Sequence, residues 1–279
     1  MKVLLLGATD VSRCVLKACL KSRGIEIFVY DPYIEELDDA NSKFKHSLPS
    51  LHRLKNIEFL TEIPFDLEPD LVIDCLPDDS TQGQFLEEVD GVLNSHPVYI
   101  TTSKLYSVSE LSRMIEQPEK MIGMQFVLPF DEIEFVEIVR GMRTSQATID
   151  VTTDFVQHLS KKYYIVKDVP GYVLNRMLLV VINEAVSILH EGLATPQQVD
   201  ETLRHGLGMK KGALQLADEI GLNRVVKMAN AMASGLNNSR YQPHYLLLDM
   251  VNSGLTGKEM SSGFYSYLAD ILDFPYLST

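Results

Sequence analysis

Several polar residues in the middle of this chain are of types that could take part in proton transfer. Gln125 is followed twelve residues later by Glu137. The Gln amide can donate and accept hydrogen bonds, but it cannot take up a proton near neutral pH. Glu137, if it is buried beside that amide without a cation, could have a raised pKa and act as a general base; otherwise it only pairs with Gln125 structurally. Lys104 could be the base through a pKa lowered in an apolar cleft, or it points to solvent.

A second group of residues, 7–12 (Gly-Ala-Thr-Asp-Val-Ser), lies between the first predicted strand and its helix, where a Gly-x-Gly-x-x-Gly dinucleotide motif belongs. Thr9 replaces the glycine whose missing side chain lets a pyrophosphate approach the backbone, and Ser12 replaces the glycine of the helix–strand contact. Asp10 would place a carboxylate at the positive end of the helix and repel phosphate. Alternatively, Thr9 or Asp10 only caps a structural helix.

An acidic residue, Asp31, ends the second predicted strand. A carboxylate there can bind the adenosine ribose hydroxyls of NAD and would repel the 2′-phosphate of NADP. An Asp in a strand-to-loop turn is also common for structural reasons. We predict NAD as the cofactor. The candidate cofactor-binding residues are Gly7, Thr9, Asp10, Asp31 and Lys104.

The elements that must position these residues follow from the apolar pattern of the first 168 residues. Short apolar runs predict buried strands at 3–6, 26–30, 57–60, 71–75, 98–101 and 163–166. Helices are predicted at 11–22, 81–93 and 145–159, and residues 32–55 predict a helix with a long excursion. Strands that alternate with helices imply parallel βαβ units. The predicted fold class is α/β, with an N-terminal Rossmann-type doubly wound sheet.

After a Pro-Gly pair at 170–171, the pattern predicts helices only. A buried helix at 172–190 should end near Gly192, which is available for a left-handed cap. Residues 195–198 (Thr-Pro-Gln-Gln) are typical of a helix start. Further amphipathic helices are predicted at 212–219, 223–234 and 243–251. The predicted domains are therefore 1–168, a Rossmann-type NAD-binding domain, and 169–279, an all-helical C-terminal domain.

The composition bounds the partners of the protein. A formal net charge of −13 and a pI near 5.0 disfavour nucleic acid and anionic membranes, because both need basic patches. No segment approaches the roughly 20 apolar residues of a membrane span. The chain has 3 cysteines without Cys-x-x-Cys spacing, so disulfides and a zinc site are not expected and a reducing cytoplasm fits. We predict a cytoplasmic protein without a metal.

The segment around Gln125 resembles the active-site segment of the 3-hydroxyacyl-CoA dehydrogenases. In that family a Gly-x-His-Phe-x-Asn-Pro run is followed, twelve residues after its His, by a Glu that orients the His. Here residues 123–129 have Gln125 in place of the His and Leu128 in place of the Asn, and Glu137 keeps the spacing. Residues 101–105 (Thr-Thr-Ser-Lys-Leu) resemble the family's Asn-Thr-Ser-Ser-Leu, so Ser103 matches the Ser that bonds the substrate oxygen.

The resemblance covers nearly the whole chain. Residues 168–176 look like the family's Asp-x-Pro-Gly-Phe-x-x-Asn-Arg, in which Asn175 matches a substrate-contacting Asn. Residues 206–218 resemble Gly-x-Gly-x-Pro-x-Gly-Pro-x-x-Leu-x-Asp without its two prolines. Residues 257–258 and 263–265 match the C-terminal Gly-Lys-x-x-Gly-x-Gly-Phe-Tyr run in part. The candidate catalytic residues are Gln125, Glu137, Asn175 and Ser103.

Two functions are compatible with this resemblance. The first is an NAD-dependent oxidoreductase that interconverts a 3-hydroxyacyl-CoA, or a similar 3-hydroxy acid, and its 3-keto form, with Gln125 in place of the His. Loss of general acid–base catalysis typically costs about 10²–10⁴-fold in rate. The second is a catalytically inactive homologue that binds an acyl-CoA-like ligand or a protein partner. The resemblance also implies a homodimer formed through the helical domain.

Overall fold

The computed structural model describes residues 1–32, 57–76, 81–103, 106–126 and 134–267. The predicted helix and excursion at 32–55 thus fall almost entirely outside the described residues, and Lys104 lies outside them as well. The chain divides into two compact units, Met1–Tyr172 and Val173–Thr279.

Within the described residues, the first unit is built on one eight-stranded sheet. Its strands are β1 (Lys2–Leu6), β2 (Glu26–Tyr30), β3 (Ile57–Leu60), β4 (Leu71–Asp74), β5 (Val98–Thr101), β6 (Met121–Gln125), β7 (Phe135–Arg140) and β8 (Lys162–Lys167). Their order is β3-β2-β1-β4-β5-β6-β7-β8, and only the β6–β7 pair is antiparallel. The first six strands have the order of a doubly wound dinucleotide-binding sheet. The predicted α/β class and its six strands are confirmed; β6 and β7 had not been assigned as strands.

Side chains of β1 alternate between two hydrophobic cores, one on each face of the sheet. In the described residues, the α-helices of this unit are α1 (Asp10–Lys21), α2 (Gln82–Val92), α3 (Val108–Leu111) and α4 (Gln146–His158). Val3 and Leu5 pack in the core that α1 and α4 cover, whereas Leu4 and Leu6 pack in the core that α2 and α3 cover. A strand buried on both faces is a continuous apolar run, which explains why the sequence predicted it.

The second unit is helical, as predicted. Its helices in the described residues are α5 (Leu174–His190), α6 (Pro196–Leu207), α7 (Ala213–Ile220), α8 (Leu222–Gly235) and α9 (Tyr245–Asn252). The predicted start of α6 is confirmed, because Thr195 and Gln198 form a reciprocal capping box. Gly192 follows α5 at a φ of 69°, the left-handed conformation expected of a glycine cap.

Helix α7 is capped by a carboxylate from another helix. Its own cap residue, Gly212, has no side chain to offer, and the buried Asp200 of α6 accepts the Leu214 and Gln215 amide hydrogens at 2.9 Å each. The Tyr265 hydroxyl donates to the same carboxylate at 2.8 Å. A Cβ atom on Gly212 would lie 2.1 Å from Asp200 Cγ. Gly212 is therefore required by the close approach of this cap.

A second buried carboxylate, Asp218, anchors the C-terminal segment of the unit. It accepts the Phe264 and Tyr265 amide hydrogens and the Tyr267 hydroxyl, each at 3.0 Å. A Cβ atom on Gly263 would lie 2.0 Å from Asp218 Oδ1, so only glycine fits beside the carboxylate. Burial raises the pKa of the Asp218 carboxyl, against the lowering effect of these hydrogen bonds. Gly263 and the aromatic residues that follow it thus hold the C-terminal segment against Asp218, which gives this part of the motif a structural role.

Gly212→Ala should destabilise the protein by about 2–3 kcal/mol, because the new methyl group would displace Asp200 from the end of α7. The measurement is the free energy of unfolding in urea. Gly206→Ala is the matched control: Gly206 lies inside α6, a Cβ there meets no atom within 4 Å, and Ala favours the helix by about 1 kcal/mol. Equal effects of the two substitutions would contradict the capping role of Asp200.

Candidate functional site

The strand order of the sheet reverses between the neighbouring strands β1 and β4, and sheets of this kind bind ligands at the carboxyl ends of the strands beside this point. Gly7 follows β1 at a φ of 87°, and its amide hydrogen bonds the Tyr30 carbonyl at 2.8 Å. A Cβ atom on Gly7 would lie 3.3 Å from Leu76 Cδ2. The turn after β1 therefore needs the left-handed conformation and small volume of glycine.

The Thr9 side chain closes the first turn of α1. Thr9 is the N-cap: its hydroxyl accepts the Ser12 amide hydrogen at 3.3 Å, and Ser12 Oγ accepts the Thr9 amide hydrogen at 2.8 Å. The Thr9 hydroxyl also donates to the Cys75 carbonyl at 2.8 Å. The alternative that Thr9 caps the helix is confirmed. Two amide hydrogens at this helix terminus are therefore already bound by side chains.

Two acidic residues lie beside this turn, and each has a partner in the structure. Asp10, whose carboxylate was predicted to repel phosphate, forms an ion pair with Arg13 one turn along α1. Asp31 follows β2, as predicted, and its carboxylate accepts the Ala8 amide hydrogen at 2.9 Å. The glycine turn, the helix terminus and an acid at the end of β2 are the features that an NAD site requires, so the residues present fit this cofactor.

Thr9→Gly should lower the dissociation constant of NADH by about tenfold, because it releases the Ser12 amide of α1 for a charge-assisted bond to the pyrophosphate. Isothermal calorimetry measures this constant. Thr195→Gly is the matched control, since it removes the capping box of α6 at an exposed position. We expect it to weaken that helix without changing NADH affinity. An unchanged constant in Thr9→Gly would show that the capping box does not limit cofactor binding.

Gln125 and Glu137 are direct neighbours across the antiparallel strands β6 and β7. Side chains of such a pair lie on the same face of the sheet, with Cβ atoms about 5 Å apart. Both residues are 2% exposed. The Gln125 amide nitrogen, Nε2, donates to the Ser103 carbonyl at 2.6 Å, and Ser103 follows β5, the strand next to β6. The structure therefore brings together three of the four predicted catalytic residues.

A fourth buried polar residue at this edge, Asp74, was missed by the sequence analysis. It ends β4 and is 1% exposed. Its carboxylate accepts the Thr101 hydroxyl at 2.8 Å, the Gln82 amide at 2.7 Å and the Leu76 amide hydrogen at 3.1 Å. The available signal was an acidic residue at the end of an otherwise apolar strand, β4, next to the point where the strand order reverses.

The remaining predicted residues lie elsewhere. Asn175 is half-buried in the first turn of α5 and belongs to the second unit. Asp168, the first residue of the motif that contains Asn175, caps α3: its carboxylate accepts the amide hydrogens of Val108 at 3.2 Å and Ser109 at 2.8 Å. A structural role in the first unit thus accounts for this Asp.

The described part of the chain contains no group of three or more His, Cys, Asp or Glu side chains that could hold a metal ion. It also contains no helix with the length and apolar character needed to cross a membrane.

Two family models together span most of the chain. The 3-hydroxyacyl-CoA dehydrogenase NAD-binding domain matches residues 2–169, and the C-terminal domain of 3-hydroxyacyl-CoA dehydrogenase matches residues 171–267. The turn after β1, the Gln125–Glu137 pair and Ser103 all fall within the first of these matches.

Curated relatives agree with the family models. The chain is 28% identical to the probable 3-hydroxybutyryl-CoA dehydrogenase of Deinococcus radiodurans over 279 residues, which span 96% of this chain and 100% of the relative. It is 32% identical to the corresponding Bacillus subtilis protein over 199 residues, or 71% of this chain and 69% of that protein. The crystal structure of (S)-3-hydroxybutyryl-CoA dehydrogenase from Ralstonia eutropha matches with a TM-score of 0.85 and 27% identity, over 95% of this chain and 98% of that one.

Proposed function

Because the chain belongs to the 3-hydroxyacyl-CoA dehydrogenase family of NAD-dependent dehydrogenases, we propose that it interconverts a 3-hydroxyacyl-CoA and its 3-keto form. The observation that carries this proposal is the buried Gln125–Glu137 pair with Ser103, at the carboxyl edge of a dinucleotide-binding sheet. The relatives named 3-hydroxybutyryl-CoA dehydrogenase support a short acyl chain.

NAD is the cofactor of this family's first domain, and when bound it supplies the acceptor or donor of hydride. In our proposal the Gly7 turn and the first turn of α1 hold the pyrophosphate, and Asp31 binds the adenosine ribose hydroxyls. The Asp31 carboxylate excludes the 2′-phosphate of NADP by charge repulsion. Thr9 and the Asp10–Arg13 pair border the pyrophosphate position, and Lys104 is a further candidate contact.

The chemical step needs a group that takes the proton of the substrate hydroxyl as hydride leaves C3. Glu137 fits this role in our proposal, because its carboxylate lies opposite Gln125 in a water-poor place. Ser103 and the Gln125 amide orient the substrate oxygen by hydrogen bonds. Asn175 keeps the substrate-contacting role that the resemblance implies. In the reverse direction, the protonated Glu137 returns the proton to the oxygen of the 3-keto group.

The assembly and location of the protein extend this proposal. We expect a homodimer formed through the helical unit, because α5 and its start carry exposed apolar side chains at helical spacing, on Val173, Met177 and Val180. A cytoplasmic enzyme fits the cysteine content. Sedimentation of the purified protein measures the dimer.

The test begins with calorimetric titrations of the purified protein with NADH and with NADPH. We expect micromolar binding of NADH and at least tenfold weaker binding of NADPH. Reduction of acetoacetyl-CoA with NADH is then followed by the loss of the NADH absorbance. Absence of NADH binding at millimolar concentration, or binding without any reduction of acetoacetyl-CoA, would overturn the proposed function.

A further inference from the structure

The buried Asp74 carboxylate has no part in the roles assigned above, although it lies at the same edge of the sheet. We propose that Asp74 is a positioning residue, which acts through the Thr101 hydroxyl to hold Ser103 and the Gln125 amide in one geometry. The inference deepens the proposed dehydrogenase function and rests on it.

The first step concerns the orientation of the carboxylate. A buried carboxylate is stable only when hydrogen-bond donors surround it. Asp74 Oδ2 accepts from the Thr101 hydroxyl and from the Gln82 side-chain amide, and Oδ1 accepts the Leu76 amide hydrogen. These donors come from three different segments of the chain. The position of the carboxylate is therefore set by packing and does not follow the motion of any one loop.

The second step concerns the direction of the Thr101 hydroxyl. A hydroxyl has a single proton, and here Thr101 gives it to Asp74. The Thr101 oxygen is then left as an acceptor, and it accepts the Ser103 amide hydrogen at 3.1 Å. A carboxylate can only accept hydrogen bonds, so Asp74 fixes this direction. Ser103 is thereby tied to β4 through one side chain of β5.

The third step leads from Ser103 to the catalytic pair. While the Ser103 amide hydrogen bonds Thr101, its carbonyl accepts Gln125 Nε2 at 2.6 Å. One peptide segment thus links the Asp74 network to the amide that faces Glu137 across the strands. A shift of Ser103 would move both its own hydroxyl and the Gln125 side chain. Misplacement by about 1 Å can cost up to about 100-fold in rate.

The test uses Thr101→Val, which removes only the linking hydroxyl at nearly constant volume. Asp74→Ala is less useful, because it would leave several buried donors unpaired and endanger folding. Thr102 still pairs β5 with β4 in Thr101→Val, since its amide and its hydroxyl both donate to the Asp74 carbonyl. Thr101→Ser restores the hydroxyl. Gln82→Leu is the matched control, because it removes the other side-chain donor to the same Asp74 oxygen, while the Leu76 amide and the Thr101 hydroxyl still hold the carboxylate and the link to Ser103 is kept.

We expect Thr101→Val to lower kcat for acetoacetyl-CoA reduction by about 10- to 100-fold at unchanged NADH affinity. The Ser103 amide should exchange its hydrogen faster, as measured by NMR, and Thr101→Ser should restore both properties. Gln82→Leu should lower the melting temperature by about as much as Thr101→Val does, because each removes one hydrogen bond to Asp74. It should nevertheless keep kcat within about twofold of wild type. Two results would show that Asp74 has only a structural role. One is an equal loss of kcat in Thr101→Val and Gln82→Leu, and the other is a Thr101→Val enzyme with the wild-type kcat.

The result for Ser103 separates this inference from the proposed function. If the wild-type protein does not reduce acetoacetyl-CoA, the proposed dehydrogenase fails, and the exchange rate of the Ser103 amide alone decides the positioning role. Faster exchange in Thr101→Val but not in Gln82→Leu supports that role. The same exchange rate in both variants overturns it.

Discussion

Gln125→His should raise the rate of NADH-dependent acetoacetyl-CoA reduction by up to about 100-fold, because general acid–base catalysis contributes about 10²–10⁴-fold and the proposed base Glu137 already supplies about 100-fold of it. An imidazole can take up and release a proton near neutral pH, whereas the Gln amide cannot. The new ring would stand opposite Glu137, which is buried and could orient one tautomer through the second ring nitrogen. Steady-state kinetics measure the change, with NADH affinity as the check that the fold is kept.

The double variant Gln125→His/Glu137→Gln is the control for this gain. An amide opposite the ring cannot stabilise an imidazolium, so most of the increase should disappear. A Gln125→His protein that binds NADH but shows no increase would contradict the dehydrogenase arrangement of the site. A gain that survives in the double variant would show that Glu137 does not orient the ring.

Glu137→Gln should lower the wild-type rate by about 100-fold or more, because the proposed base would become an amide of the same size. NADH affinity should not change, since the proposed cofactor contacts lie at the β1 and β2 ends of the sheet. The measurement is kcat and KM for acetoacetyl-CoA in both proteins.

The matched control is Glu134→Gln, the same chemical change three residues earlier at an exposed position. We expect it to leave the rate within about twofold of wild type, as is usual for a surface substitution. If Glu137→Gln behaves like Glu134→Gln, Glu137 only pairs with Gln125 structurally. Lys104→Met would then test the other base that the sequence suggests.

The Gln125–Glu137 pair shows what the spacing of residues along the sequence could and could not predict about the candidate active site. The twelve-residue interval and the family resemblance identified both residues, but the interval alone does not say that they meet. They meet because β6 and β7 run antiparallel in the register that sets Gln125 opposite Glu137. The apolar pattern had not assigned these two strands, and in β6 Gly123 and Gln125 weaken the apolar signal.

The sequence predicted where the turn after β1 lies, but it did not predict which hydrogen bonds the turn makes. Thr9 could obstruct the approach of a pyrophosphate or cap the helix, and in the structure it caps the helix in a box completed by Ser12. Capping is a local interaction across three residues, so the sequence contained both partners. The further bond from Thr9 to the Cys75 carbonyl joins two strand ends and could not be read from the turn itself.

The sequence by itself determined six of the eight described strands, the main helix boundaries, the two-part organisation and the family, because periodicity, caps and motif order are local properties. Only the tertiary structure decided that Asp74 meets Thr101 and Gln82, and that Asp200 caps α7 from α6. Those partners are separated along the chain by other elements. A single Asp has no period, so its hydrogen bonds depend on how the elements pack, and packing brings together residues that no local pattern relates.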